Sequence, residues 1–312
     1  MPEYRLIQSR ALEQVRRVHS GFQESDEDMI LITGACGHIG REVCRVLRDT
    51  KRSILPIDVE QNEATGVLAC DLRSEGDIAQ VFQSHRIHTV IHLAGILPSA
   101  FQTNPLMGAD VNLRGSCELM RQSAARVKRV ILASSMSVYG SSATGRALTE
   151  DDPAAPDEPY GASKRAIELI GEALRKKKAF DFVALRIARV VGPGIKKTSS
   201  PWRSEIFEPS PRLEPISIPF SPKAVLSLIH VEDVARALLT LVDTAEMSSP
   251  VYNTPVELWE AKQLKKIIEE GRGVRVELGP EMAHGGPACD GTRFTREFGF
   301  QLRGLREHLF VS

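Results

Sequence analysis

Tyr160 and Lys164 stand four residues apart in Tyr160-Gly161-Ala162-Ser163-Lys164, which follows the turn-rich Asp157-Glu158-Pro159. At that spacing on a helix their side chains share one face. A phenol with an ordinary pKa of about 10 is a poor base at neutral pH. A neighbouring ammonium favours the phenolate, which can take a proton from an alcohol or return one to a ketone. Upstream, the apolar run Val130-Ile131-Leu132-Ala133 ends in Ser134-Ser135. A serine hydroxyl at such a strand end can hold a developing alkoxide. A Tyr-x-x-x-Lys pair also arises by chance in many helices, so its weight depends on its company.

That company is a glycine turn. Ile30-Leu31-Ile32-Thr33 runs into Gly34-Ala35-Cys36-Gly37-His38-Ile39-Gly40 and then into a helical pattern. Gly34 permits the tight turn, Gly37 admits a pyrophosphate close to the backbone, and Gly40 lets the helix pack on its strand. The helix start around Cys36, Gly37, His38 and Ile39 then offers free N–H groups to the diphosphate. A second strand-like run, Ser53–Ile57, ends at Asp58, 18 residues beyond Gly40. A carboxylate there accepts hydrogen bonds from an adenosine ribose diol and repels a 2′-phosphate. The expected cofactor is NAD rather than NADP.

These residues need strands and helices to bring them together. Strand-like runs at 29–32, 53–57, 66–70, 88–93, 129–134 and 181–187 alternate with helical patterns near 38–48, 75–84, 105–126 and 160–178. The alternation predicts an α/β fold, a doubly wound parallel sheet with chemistry beyond the carboxyl ends of its strands. Residues 29–192 are read as the cofactor domain. Seven prolines between 193 and 222 break regular structure and suggest a lid. The later pieces are a strand at 225–229, a helix at 231–242, a strand near 250–253, a helix at 257–270 and a strand at 274–278. They form a small C-terminal substrate lobe over 193–312, with 225–242 expected to return to the main sheet. Ahead of the first strand, Tyr4, Ile7, Ala11, Val15, Val18 and Phe22 make one apolar helical stripe, read as an extension over 1–28.

Among 312 residues, 40 basic side chains balance 40 acidic ones, which argues against a nucleic-acid or membrane-surface partner. Five scattered cysteines without a C-x-x-C point to reduced thiols and a cytoplasmic enzyme. The eight histidines show no metal-ligand spacing, so no metal is expected.

In this order the motifs resemble the extended short-chain dehydrogenase/reductases, the NAD-dependent epimerase/dehydratase family, over roughly residues 29–310. The resemblance implies a Rossmann-type sheet and assigns Ser135, Tyr160, Lys164 and Asn112 to catalysis, with Ser134 as the fallback for Ser135. It implies cofactor contacts from Asp71-Leu72 and from Leu93-Ala94-Gly95, a place for Ser137 near the substrate, and a homodimer. The family's nucleotide-sugar enzymes carry an asparagine where this chain has Arg189. The stretch Ile195–Phe207 resembles the cover of members that oxidise small carboxylated substrates, with Thr198, Ser199, Arg189 and Arg203 as candidate substrate contacts. Three functions stay open: a dehydrogenase acting on a small carbohydrate-like acid, a sugar or nucleotide-sugar epimerase without net redox, and a non-catalytic NAD-sensing scaffold.

Overall fold

A computed structural model describes residues 29–141, 146–195, 200–208, 214–280 and 286–310. The expected helix within 1–28, together with Thr198 and Ser199, lies outside the described residues. The first six strands are β1 (Met29–Thr33), β2 (Ile54–Asp58), β3 (Leu68–Ala69), β4 (Ile87–His92), β5 (Arg129–Ser135) and β6 (Asp181–Ile187). They are followed by β7 (Arg189–Val191), β8 (Ile216–Ile218), β9 (Val225–His230), β10 (Val251–Asn253), β11 (Glu257–Glu260) and β12 (Val276–Leu278).

Seven of these form one parallel sheet in the order β10-β6-β5-β4-β1-β2-β3. Alternate side chains of each central strand feed two different cores. Ile30, Ile32, Ile91, Ile131 and Val183 pack with Val43, Leu47, Val234 and Leu238 of the helices His38–Asp49 and Val231–Asp243. Leu31, Val90, Val130, Leu132 and Phe182 instead meet Ile78, Phe82, Leu119 and Ile167 of the helices Glu75–Ser84, Ser116–Ser123 and Pro159–Lys176. The period-two alternation of strands that are apolar throughout is what gives the sheet a helical layer on each face.

Three expectations need correction. Strand β9 does not return to the main sheet: it pairs in parallel with β7 and antiparallel with β11, and β10 takes the main sheet's edge beside β6. The chain leaves the sheet at Ala188, whose N–H is held by Thr254 Oγ1 at 3.1 Å, so β7 emerges as a separate strand for β9 to join. Residues 257–260 form β11 rather than a helix start, and the helix begins at Ala261, where Ala261 and Lys262 donate to the carbonyls of Ala224 and Pro222. Finally, the helix expected over 105–126 is interrupted: Pro105–Ala109 and Ser116–Ser123 flank a wide π turn at Asp110–Gly115.

The proline-rich stretch also carries structure, a short helix Trp202–Glu205 and β8, which pairs with β12. Trp202, Ile206, Leu226, Leu228, Leu264 and Ile268 close a third core beneath this lobe.

Candidate active site

The helix Pro159–Lys176 starts with proline at its first position, where the missing N–H costs nothing. It lays Tyr160 and Lys164, both buried, along the carboxyl end of β5. Lys164 Nζ donates to the Ala133 carbonyl at 2.8 Å and lies 5.9 Å from the Tyr160 ring centroid. Burial lowers the Lys164 pKa to about 8 against the pull of the Glu168 carboxylate. Burial pushes the Tyr160 phenol up to about 12, while a hydrogen bond with Ser135 draws it down. The Ser135 hydroxyl in turn donates to Ser137 Oγ at 3.1 Å. Ser134 does something else. Its hydroxyl donates to buried Glu168 at 2.6 Å, turned away from the reacting end.

Asn112 sits inside the π turn, where the widened backbone ring displaces one residue from helical register. Its side chain is buried and reciprocally bonded to one loop residue, accepting from Ile96 N at 2.7 Å and donating to Ile96 O at 3.0 Å. This pins the chain after β4. A Cβ added to Gly95 would come within 3.3 Å of Asn112 Oδ1 and 3.6 Å of Lys164 Nζ, so Gly95, Asn112 and Lys164 meet at one point. Behind them, Thr33 Oγ1 and Ser116 Oγ hold the two nitrogens of buried His92 at 2.7 and 2.8 Å. Burial and the Lys164 charge lower the His92 pKa to about 3, so the ring is neutral.

The glycine turn forms a cradle of matching shape. The helix His38–Asp49 has no side-chain cap and no acidic residue in its first turn, leaving its initial N–H groups and dipole for an anion. Gly34 has φ +72°, and a Cβ there would lie 2.7 Å from Ala94 N. A Cβ on Gly40 would fall 2.1 Å from Gly34 O. Asp58, at the end of β2, accepts from Cys36 N at 2.8 Å and so stands beside the turn. His38 carries a buried Nε2 without a hydrogen-bond partner among the described residues, and burial lowers its pKa to about 4. His38, Arg41, Gly194 and His230 line a cavity of about 430 Å³, and the Arg41 guanidinium donates to the Gly194 carbonyl at 2.5 Å. The uncapped amides, the glycine clearances and Asp58 fit a dinucleotide. Asp71 is bonded to Arg73, which draws its carboxyl below the usual range, and Leu72 is buried under the helix carrying Gly115.

On β7, Arg189 places its guanidinium 4.6 Å from the Phe220 ring centroid. Burial and the like charge of Arg203 lower its pKa to about 10, and burial also lowers that of Arg203. The backbone of Arg203 accepts from Gly192 N at 2.9 Å, which ties the short helix Trp202–Glu205 to the end of β7. His230, Glu232 and His308 also come together, but His230 Nδ1 accepts from Glu232 N, Arg303 binds Glu232, and the two imidazoles stack at 3.6 Å.

Sequence reasoning missed one network. Glu168, fully buried, is gripped by Arg186 at 2.8 and 2.9 Å and by Arg165 at 2.9 Å. Arg186 continues to the Tyr139 hydroxyl at 2.9 Å, which donates to Asn253 at 2.8 Å. The available signal was spacing: Glu168 lies one further helical turn past Lys164.

A family model described as the NAD dependent epimerase/dehydratase family matches residues 30–254. UDP-glucose 4-epimerase 2 of Oryza sativa subsp. japonica is 25% identical over 289 residues, covering 80% of this chain and 71% of that protein. Mitochondrial L-threonine 3-dehydrogenase of Bos taurus is 23% identical over 270 residues, with the same coverages. The structure of MoeE5 in complex with UDP-glucuronic acid and NAD superposes with a TM-score of 0.77 at 28% identity, covering 91% of this chain and 96% of that one.

Proposed function

The chain belongs to the NAD dependent epimerase/dehydratase family, and on that premise we propose that Tyr160 is its general base and acid, working on a secondary alcohol of a small carbohydrate-like or carboxylated substrate. The observation that carries this is the meeting of Tyr160, Ser135 and Lys164 at the carboxyl end of β5, beside an uncapped helix start. NAD, when bound, supplies the hydride acceptor. Tyr160 takes the hydroxyl proton as the carbonyl forms, Ser135 holds the oxygen through that change, and Lys164 supplies the positive charge that favours the phenolate. Gly34, Gly37, Gly40 and Asp58 are the residues that would hold the dinucleotide, the glycines at its diphosphate and Asp58 at its ribose.

Arg189 and Arg203 support an anionic substrate. The two guanidiniums lie near enough for Arg203 to perturb Arg189, and arginine grips a carboxylate or phosphate bidentately. Among the described residues no helix is long and apolar enough to cross a membrane. The five cysteines are free thiols, which favours a cytoplasmic setting. Leu106, Leu169 and Ile170, exposed on the helices Pro105–Ala109 and Pro159–Lys176, favour a homodimer through that face.

The test is NADH absorbance growth from NAD with uronates, aldonates, hydroxy acids, threonine and nucleotide sugars. NADH formation that disappears in Tyr160→Phe, with NAD still bound, is the expected result. Substantial turnover by Tyr160→Phe removes the mechanism. Interconversion of a nucleotide sugar without net NADH would reassign the chain as an epimerase.

A further inference from the structure

Three consecutive residues of β5 hold three successive turns of the catalytic helix. Ser135 meets Tyr160, the Ala133 carbonyl takes Lys164 Nζ at 2.8 Å, and Ser134 Oγ takes Glu168 at 2.6 Å. Tyr160, Lys164 and Glu168 are spaced by four residues each and so line one stripe of the helix. The third member of that stripe has no part in the chemistry proposed above. Among the described residues it is nevertheless the most heavily bonded carboxylate of the core: Arg186 reaches it from β6 with two hydrogen bonds, Arg165 from its own helix with one, and Ser134 from β5 with another.

We infer that Glu168 is a positioning residue for the proton relay, acting through Lys164 in two ways: it fixes the helix on β5 in the register that delivers Lys164 to Ala133, and it keeps the buried ammonium charged. The inference rests on the assignment of Lys164 to the Tyr160 reaction. The charged and titratable groups facing Lys164 are Tyr160 and Glu168 on its own helix and neutral His92 on β4, with the amide of Asn112 alongside. Of these, only Glu168 brings negative charge. An ammonium taken out of water loses its proton readily unless an opposite charge is near. With its pKa already lowered to about 8, Lys164 has little margin. A further fall of about one unit takes its charged fraction at pH 7 from about nine-tenths to about half.

The experiment follows the Lys164 ammonium by nitrogen NMR in the ¹⁵N-lysine-labelled full chain with NAD bound, the resonance being identified by its loss in Lys164→Arg. In Glu168→Gln the midpoint of its titration should fall by about one pH unit. The alkaline limb of kcat/KM should move with it, while NAD binding persists. Arg186→Lys, which keeps the buried charge and loses the forked geometry, should lower thermal stability and leave the midpoint in place. If Glu168→Gln does not fold, Glu168→Gln combined with Arg186→Met removes the buried pair as a unit, a change that cores often tolerate. A shift in the same downward direction is expected, smaller because a neighbouring cation is lost with the carboxylate. A midpoint unchanged from wild type in Glu168→Gln, or in the double variant where only that one folds, overturns the inference alone, provided Tyr160→Phe is inactive. Full activity in Tyr160→Phe would take down the underlying assignment as well.

Discussion

The glycine turn gives the sharpest quantitative test, because Gly37 and Gly40 are read as serving different purposes. A Cβ on Gly40 would lie 2.1 Å from Gly34 O, 2.8 Å from Ala35 Cα and 2.9 Å from Gly34 C. All three are backbone atoms, and ordinary contact begins at 3.4 Å, so something must move by more than 1 Å. No side chain can rotate away to relieve it. Gly40→Ala should therefore cost about 3 kcal/mol, the upper part of the usual overpacking range. That corresponds to a fall in Tm of about 5 °C for a chain of 312 residues, since the unfolding entropy grows with length. Gly37 is different. Its added Cβ meets only Gly34 O, at 3.1 Å, and Gly37 has no positive φ, so a shift of a few tenths of an ångström suffices. Gly37→Ala should leave Tm nearly unchanged, yet place a methyl where a diphosphate approaches and weaken NAD by at least about tenfold, roughly 1.4 kcal/mol. Calorimetric NAD titration beside thermal unfolding of both variants separates the two roles. A Gly37→Ala protein with normal NAD affinity, or a Gly40→Ala protein with normal Tm, refutes this division of labour.

Asp58→Ala should weaken NAD and narrow the preference for NAD over NADP, since the carboxylate that would bind the ribose diol and repel a 2′-phosphate is gone; equal NAD affinity in the variant would mean Asp58 serves only Cys36. Arg189→Ala should raise KM for an anionic substrate by about tenfold or more with little change for a neutral analogue, and equal effects on both would reduce Arg189 to a packing partner of Phe220. His92 is held neutral, with its pKa lowered to about 3 from an ordinary value near 6.5, so the unfolded chain binds the extra proton. Its contribution is complete above about pH 6.5 and is lost as pH falls toward 3, so Tm should decline with acidification. In His92→Gln, less stable overall, that decline should be shallower; an identical slope would place the acid sensitivity elsewhere.

What could be read from sequence was whatever is encoded within one element or across one turn. Tyr160 and Lys164 declare themselves by a four-residue spacing, and Gly34, Gly37 and Gly40 by a turn that joins a strand to a helix. Both patterns depend on backbone geometry that neighbouring residues determine. The choice between Ser134 and Ser135 already needed more. Alternation along β5 gives them different directions, but which one faces the helix's reacting end depends on register: Ser134 found Glu168, and Ser135 found Tyr160. The pairing of β9 with β7 was illegible for the same reason. An apolar strand buried on both sides satisfies its hydrophobic pattern equally well in either sheet, and the decision is made at Ala188, where Thr254 catches the chain as it leaves β6. The interrupted helix at Asp110–Gly115 is a third instance. Asn112 pays no visible propensity signal into its sequence, since its reward is the reciprocal bond to Ile96, 16 residues away and reached only once β4 is in place. In each case the missing information was a hydrogen bond between elements distant in sequence. The same class of contact, Arg186 to Glu168, separates a helix that merely carries Tyr160 and Lys164 from one that holds them in register with the strand they serve.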